Sequence, residues 1–140
     1  MRIAVIDGQG GGIGKSVIEK IKGALGQEAS IIALGTNSTA TAGMLRAGAD
    51  DGATGENAVI HNASRCDVII GAIGVIAANS FHGEMSPAMA KAVAESEAVK
   101  ILIPINKCSL LVAGMRENML ADYLDDAVKL LLKLRKENKC

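Results

Sequence analysis

The chain has 140 residues, of which 49% are apolar and 21% charged, and its 15 basic residues balance its 15 acidic residues. These values exclude a disordered or collagen-like chain and a polybasic protein that binds nucleic acid or a membrane surface. Phe81 and Tyr123 are the sole aromatic residues, too few for a platform that stacks the bases of single strands. We expect one domain over residues 1–140, with an aliphatic core.

No segment predicts secretion or membrane insertion. The first apolar run, residues 3–6, ends at Asp7, and the longest uncharged apolar stretch, residues 68–78, is shorter than the roughly 20 residues of a membrane-spanning helix. Three cysteines without CxxC spacing indicate free thiols. We therefore expect a cytoplasmic protein that has no membrane partner.

The first half of the chain predicts a βαβα unit. Residues 3–6 are apolar without polar alternation, which is typical of a parallel strand buried on both faces. Apolar residues recur at helical spacing over residues 13–25, and Gly26 ends this amphipathic helix. Residues 31–34 predict a second strand, followed by a helix of small residues over residues 38–47 that Asn37 or Ser38 can cap.

The second half continues this alternation, with helices predicted over residues 56–63, 87–95 and 118–136 and strands over residues 67–70, 100–105 and 109–113. Ser86 and Pro87 have the cap-then-proline arrangement that starts the second of these helices. Residues 50–57 hold either a very short third strand or a loop. Because residues 106–108 alone separate the last two strands, a hairpin fits there and a helical crossover does not. The pattern predicts a three-layer, Rossmann-like α/β fold: a doubly wound, mostly parallel sheet with an antiparallel hairpin at one edge.

The last helix carries a wide apolar face. Its apolar residues cover an arc of about 200°, roughly twice the width that one core contact requires. Either the helix is deeply buried, or part of the arc is a self-association face. We expect a homo-oligomer, a dimer or larger, that assembles partly through this helix, with Leu132 at the outer edge of the arc.

A glycine-rich segment follows the first predicted strand. Its sequence is DGQGGGIGKS over residues 7–16, between a strand and an amphipathic helix. Glycines in this position let backbone N–H groups surround a phosphate, and the positive end of the helix points at it. The segment therefore predicts a phosphate-binding loop. A turn whose glycines serve close packing of helix and sheet is the alternative.

The glycine spacing can be compared with three phosphate motifs. A P-loop needs glycine where Gln9 stands, and Lys15 lies opposite the apolar face of its helix, so a divergent P-loop-like NTP-binding protein is the less favoured match. The GxGxxG pattern places Ile13 at its third glycine. The GxxxGIG pattern fits residues 8–14, and here the chain resembles the cofactor loop of the short-chain dehydrogenases/reductases. This resemblance covers roughly residues 1–35 and implies NAD or NADP.

Three departures from that family leave the nucleotide open. The family's Tyr-x-x-x-Lys catalytic pair is absent, since Ala127 stands at the required spacing after Tyr123. Asp7 replaces Thr or Ser before the first glycine, and its carboxylate would repel a pyrophosphate unless a backbone N–H, Lys15 or a metal ion compensates. Residues 35–37, Gly-Thr-Asn, stand where an acid usually contacts the ribose. Another nucleotide is therefore the alternative to NAD or NADP.

The whole chain resembles a family of short, uncharacterised bacterial proteins known as a domain of unknown function. The match runs from end to end, and it implies a Rossmann-like fold and no known activity. The segments that carry it are residues 3–16, 33–37, 52–58, 67–71 with Gly74, 78–80 and 103–108.

These segments follow the carboxyl ends of the predicted strands, where open α/β sheets bind ligands. Small residues there allow close approach of the backbone, and Asn, Ser and Thr offer neutral hydrogen bonds, although the same residues also cap helices. The predicted nucleotide-binding residues are Gly8, Gln9, Gly10, Gly11, Gly12, Ile13, Gly14, Thr36, Asn37, Ser38, Gly71, Gly74 and Asn79.

Candidates for catalysis are few. Cys108 stands beside Lys107, and a neighbouring ammonium favours a thiolate, while Glu84 is a candidate general base. The spacing of histidines and cysteines predicts no metal site. We favour a small nucleotide-binding module without chemistry of its own. The alternative is an enzyme that acts on a nucleotide-linked or phosphorylated compound through Cys108 or Lys107.

Overall fold

The computed structural model describes residues 1–105 and 109–138. Its strands are β1 (Arg2–Asp7), β2 (Ser30–Gly35), β3 (Asp51–Thr54), β4 (Val68–Ala72) and β5 (Val99–Ile103). Its α-helices are α1 (Gly12–Leu25), α2 (Ser38–Arg46), α3 (Glu56–Ala63), α4 (Pro87–Glu95) and α5 (Leu120–Asn138), and short 3-10 turns span Gly26–Glu28 and Ile73–Ile76. The predicted alternation is confirmed, and the ambiguous stretch after α2 contains a strand.

The five strands form one parallel sheet in the order β3-β2-β1-β4-β5. The strand order reverses beside β1, because β2 and β3 extend the sheet to one side and β4 and β5 to the other. This is a Rossmann-like arrangement, in which ligands bind at the carboxyl ends of the strands where the order reverses. The predicted fold class is therefore confirmed for the parallel sheet.

The predicted antiparallel edge hairpin is wrong. Residues 109–113 form no strand, and β5 pairs with β4 alone within the described part of the chain. Ser109 has a φ of 68°, which a strand cannot accommodate, and the N–H of Met115 donates to the carbonyl of Val112 to close a turn. The apolar run after Ser109 gave a strand pattern, but it lies between a left-handed residue and a turn and forms no strand.

Helices cover both faces of the sheet, which gives the three predicted layers. Residues of α1, α2 and α5 share one apolar core with the odd positions of β1, such as Ile3 and Val5. Residues of α3 and α4 share a second core with Ala4 and Ile6. Since successive side chains of a strand point to opposite faces, β1 is buried on both, as its apolar run predicts.

The last helix is buried along one stripe and exposed beyond it. Leu124, Ala127 and Leu131 are buried, whereas Leu130 is 52% exposed. Leu132 is half-buried against the core, because its side of α5 faces α1, where Lys20 pairs with Asp125. The exposed edge of the apolar arc is therefore at Leu130, not at Leu132 as the sequence suggests. None of the helices described is both long and apolar enough to cross a membrane.

Candidate functional site

The candidate site lies where β1 and β4 end. It is formed by the glycine loop, residues 8–14, and by the β4–α4 loop, residues 73–86. A cavity of about 360 Å³ is lined by residues 7–13 together with Phe81 and Leu120. Cavities of about 450 and 500 Å³ lie near the amino ends of the strands, which is not where sheets of this type bind ligands.

Asp7 holds the two ends of the glycine loop together. Its carboxylate is buried and accepts hydrogen bonds from the N–H of Gly8 at 2.8 Å and from the N–H of Gly14 at 2.6 Å. Burial raises the pKa of Asp7, and the bonds from Gly14 and Gly8 offset part of that effect. The carboxylate thus joins both ends of the loop. Its partners are backbone N–H groups, one of the three kinds of group expected from the sequence to compensate its charge.

The five glycines of the loop are of two kinds. A Cβ on Gly8 would lie 2.6 Å from Oγ1 of Thr36, one on Gly14 would lie 2.5 Å from Sδ of Met44, and one on Gly11 would lie 2.8 Å from Cα of Ala40. These three are glycines because the fold leaves no room for a side chain. A Cβ on Gly10 or Gly12 would meet nothing within 4 Å. Packing therefore explains three glycines and leaves Gly10 and Gly12 unexplained.

The N–H groups of these two glycines are also available. Neither Gly10 nor Gly12 donates a backbone hydrogen bond to residues 1–105 or 109–138, whereas the N–H of Gly11 donates to the carbonyl of Gly8. Both are exposed, and Gly12 is the first residue of α1, where the helix dipole is positive. Two residues that line the cavity therefore carry N–H donors without a partner in the described part of the chain.

Glu84 reaches the glycine loop from the β4–α4 loop. Its Oε1 accepts hydrogen bonds from the N–H of Gln9 at 2.9 Å, Oγ1 of Thr36 at 2.6 Å and Nδ2 of Asn37 at 2.8 Å. The bonds from Thr36 and from the N–H of Gln9 lower the pKa of Glu84, so the side chain is ionised at neutral pH. Glu84 thereby connects the ends of β1 and β2 to the β4–α4 loop.

Asn37 has two roles in the same cluster. Its Oδ1 accepts from the N–H of Ala40 and caps α2, as the sequence predicts, while its Nδ2 also donates to the carbonyl of Gln9 at 2.9 Å. The predicted cap and the predicted site residue are therefore the same side chain. Ser38, the other candidate cap, is the exposed first residue of α2.

The β4–α4 loop holds Glu84 in place by an unusual backbone path. Asn79, Phe81 and His82 have φ values of 63°, 57° and 55°, and Gly83 has 88°. The N–H of Asn79 donates to the carbonyl of Met85 at 2.7 Å and closes this turn. Residues other than glycine are strained in this left-handed region of φ, and such a backbone persists where surrounding contacts hold it.

Phe81 anchors this loop against the sheet. Its ring is buried, and a Cβ on Gly8 or on Gly74 would lie 3.2 Å from a ring carbon. Both glycines therefore make room for the ring. Gly71 is packed as closely, since a Cβ there would lie 2.8 Å from the carbonyl oxygen of Ile6. The structure thus gives Gly71 and Gly74 packing roles beneath the site.

Comparison with known protein families places the chain. A family model described as a domain of unknown function, DUF3842, matches residues 2–136. The chain belongs to this family. No curated protein and no solved structure matches it. This confirms the resemblance to an uncharacterised family, and the family description assigns no activity.

The structure brings most predicted site residues together, and a few lie apart. Glu84, Thr36, Asn37 and the glycine loop meet in one cluster, whereas Asn79 is an exposed turn residue whose backbone bonds stay within its own loop. The candidates Cys108 and Lys107 lie outside the described residues. Among residues 1–105 and 109–138, no three His, Cys, Asp or Glu side chains are placed to hold a metal ion.

The predicted site residues do not include two residues that line the cavity, Phe81 and Leu120. Phe81 was noted as one of two aromatic residues, but nothing in the residues around it predicts a left-handed backbone or contact with two glycines. Leu120 begins α5 and reaches the cavity from the far end of the chain. The closeness of Phe81 in sequence to Glu84 was the one available signal for a shared role.

Proposed function

We propose that this chain is a nucleotide-binding module whose glycine loop holds the phosphates of a dinucleotide of the NAD or NADP type. The observation that carries the proposal is the pair Gly10 and Gly12. Both lack a side chain although the fold leaves space for one, and both N–H groups are free of partners in the described part of the chain. A phosphate bound to those donors requires that space, and nothing else in the loop does.

The surroundings of the loop support this proposal. Asp7 would repel an anion if its carboxylate faced the cavity, but it is buried and accepts two N–H bonds beneath the loop. Phe81 and Leu120 give the cavity an apolar wall, which suits the flat apolar part of a nucleotide. The loop end of the cavity is polar and its far wall is apolar, as a nucleotide requires.

The other functions stay predictions. An enzyme acting through Cys108 or Lys107 depends on residues outside the described part of the chain. A divergent P-loop-like NTP-binding protein depends on Lys15, an exposed residue of α1. We place neither before the binding module, because no contact in the structure favours it.

Ligand-dependent thermal unfolding tests the proposal. NAD⁺, NADP⁺, FAD and ATP are added in turn to the parent protein and to Gly12→Val. A ligand at 100-fold its Kd stabilises the native state by about 2.7 kcal/mol. We expect such a shift for at least one dinucleotide in the parent and none in Gly12→Val, because the valine fills the phosphate space.

Gly23→Val is the matched control. Gly23 lies in the same helix, is exposed and likewise has nothing within 4 Å of its Cβ position. This variant makes the same substitution in the same helix, far from the loop, and should bind as the parent does. The proposal is wrong if no nucleotide stabilises the parent, or if Gly12→Val binds as tightly as Gly23→Val.

We also propose that the chain forms a homo-oligomer through α5. The support is a groove between α5 and the edge strand β5, where Val99 is 46% and Leu130 is 52% exposed. The same groove carries Lys133 and Glu137. A second copy related by a two-fold axis would place opposite charges across the interface and cover both apolar residues.

A further inference from the structure

The expected acid at the end of β2 is absent from this chain. In dinucleotide sites of Rossmann-like sheets, a carboxylate near the end of the second strand accepts hydrogen bonds from ribose hydroxyls. Here β2 ends at Gly35 and is followed by Thr36 and Asn37, which are neutral. A carboxylate is nevertheless present at that place, because Glu84 comes to Thr36 and Asn37 from the β4–α4 loop.

The two oxygens of this carboxylate are used differently. Oε1 accepts all three bonds, from Gln9, Thr36 and Asn37. Oε2 makes no hydrogen bond to residues 1–105 or 109–138, and no described side-chain oxygen is both buried and unpaired. Oε2 is therefore open to a ligand, while the three donors on Oε1 fix its position.

We infer that Glu84 supplies the ribose-binding carboxylate of this site, and that the site therefore accepts a dinucleotide with a free 2′-hydroxyl and excludes one with a 2′-phosphate. The inference rests on the proposed function and names its ligand more narrowly. A ribose hydroxyl donates to Oε2, whereas a 2′-phosphate brings a second anion to the same point.

The charges around Glu84 also favour a 2′-hydroxyl over a 2′-phosphate. The charge of Glu84 contributes to the raised pKa of Asp7, after the larger effect of burial. Among the described residues, no Lys or Arg forms an ion pair with Glu84, and His82 is the one basic group that acts on it. A 2′-phosphate is bound where an arginine or lysine meets it, and residues 1–105 and 109–138 bring neither to this carboxylate as an ion pair.

Titration calorimetry with NAD⁺ and NADP⁺ tests the inference. We expect the parent to bind NAD⁺ at least about tenfold more tightly than NADP⁺, since a hydrogen bond to a charged group is lost and an anion is added. Glu84→Gln keeps an acceptor for Thr36 and the N–H of Gln9 but removes the charge. In this variant the preference should fall below about threefold, mainly through weaker binding of NAD⁺.

Two further variants complete the experiment. Glu97→Gln makes the same charge change at an exposed position before β5, at the other end of the sheet, and should leave both affinities unchanged. Glu84→Asp keeps the charge on a shorter side chain, so NAD⁺ binding should weaken while NADP⁺ stays excluded. Circular dichroism confirms that each variant is folded, and if Glu84→Gln unfolds, Glu84→Asp still carries the test.

The outcomes separate the two proposals. If the folded parent binds neither cofactor, the proposed function fails and the inference fails with it. If it binds both equally, or if Glu84→Gln changes both affinities by the same factor, the inference alone is wrong. Tighter binding of both cofactors by Glu84→Gln would also overturn it, since the carboxylate would then obstruct the site.

Discussion

The glycine loop and the β4–α4 loop meet at one edge of the sheet, yet they keep their shapes by different means. In the glycine loop, two residues are left-handed, Gln9 and the glycine that joins α1, Gly11, and a short polar residue, Asp7, fixes the loop from within. In the β4–α4 loop, Asn79, Phe81 and His82 occupy the left-handed region. Because these three residues are not glycines, their backbone is strained, and contacts with distant parts of the chain balance that strain.

This difference shows where each loop is vulnerable. The glycine loop depends on the absence of side chains, so additions should damage it. The β4–α4 loop depends on a buried ring and on the bonds of Glu84, so removals should damage it. Substitutions of the two kinds therefore test the comparison directly.

The largest effect is expected when the ring is removed from the β4–α4 loop. Phe81→Ala should lower the free energy of unfolding by about 3 to 5 kcal/mol, because it leaves a cavity against Gly8 and Gly74. Chemical denaturation measures this change. Ile76→Ala removes an apolar side chain that is 37% exposed in the same loop and should cost far less. Equal losses in the two variants would contradict the anchoring role of Phe81.

A somewhat smaller decrease in the free energy of unfolding is expected when one carbon is added to the glycine loop. Gly11→Ala places a Cβ 2.8 Å from Cα of Ala40 at a φ of 75°. The left-handed conformation and the overlap together should destabilise the protein by about 2 to 4 kcal/mol in denaturation experiments. Gly10→Ala, which adds the same carbon in open space, is the control. If both variants unfold alike, the division of the glycines into two kinds is wrong.

The carboxylate that joins the ends of the glycine loop should contribute less. Asp7→Asn leaves one of two N–H groups, of Gly8 or Gly14, without a good acceptor, which should cost about 1 to 3 kcal/mol. Because burial raises the pKa of Asp7 in the native state, the parent gains stability as pH falls through that pKa toward the ordinary value of 3.8. The variant lacks this gain.

Denaturation at pH 7 and at lower pH, on both proteins, measures this effect. The difference in free energy of unfolding between the parent and Asp7→Asn should widen as the pH falls. A difference that narrows instead would mean that the native state favours the ionised form of Asp7, contrary to the effect of its burial.

The smallest effect on stability is expected away from both loops. Leu130→Glu changes an exposed residue of α5, so the free energy of unfolding should stay within about 0.5 kcal/mol of the parent. Its self-association should weaken by about tenfold in light scattering, because the charge enters the proposed interface. Ile60→Glu, at a similarly exposed position on α3, should not change association. A parent that scatters as a monomer at tens of micromolar would rule out the oligomer.

The sequence was sufficient for the elements whose cause is local. Buried apolar runs identified β1, β2 and β4, Gly26 ended α1 at a φ of 54°, and Asn37 and Ser86 capped the helices that follow them. The same residues placed the glycine loop at the correct edge of the sheet. These features depend on a few neighbouring residues, and their patterns are specific.

Features that depend on distant contacts could not be predicted. Residues 109–113 have a strand-like composition, but the left-handed Ser109 and the turn that follows are not visible in it. Glu84 was a candidate as a base, whereas its contacts with Gln9, Thr36 and Asn37 join residues far apart in the chain. The exposed side of α5 depended on which helix lies beside it, and the sequence contains no sign of that.

The all-parallel order of the sheet also constrains how the chain folds. No two strands that pair are joined by a tight turn. The second neighbour of β1 is β4, so Ile3 can pair with Val68 only after β4 has been synthesised. Contacts between residues so distant slow folding, and synthesis delivers the first strands long before the fourth. Until β4 is synthesised, β1, whose residues 3–6 are apolar and buried in the native state, has an open edge. We therefore expect a nascent chain that ends before Val68 to aggregate more readily than the folded protein, in which β4 covers that edge.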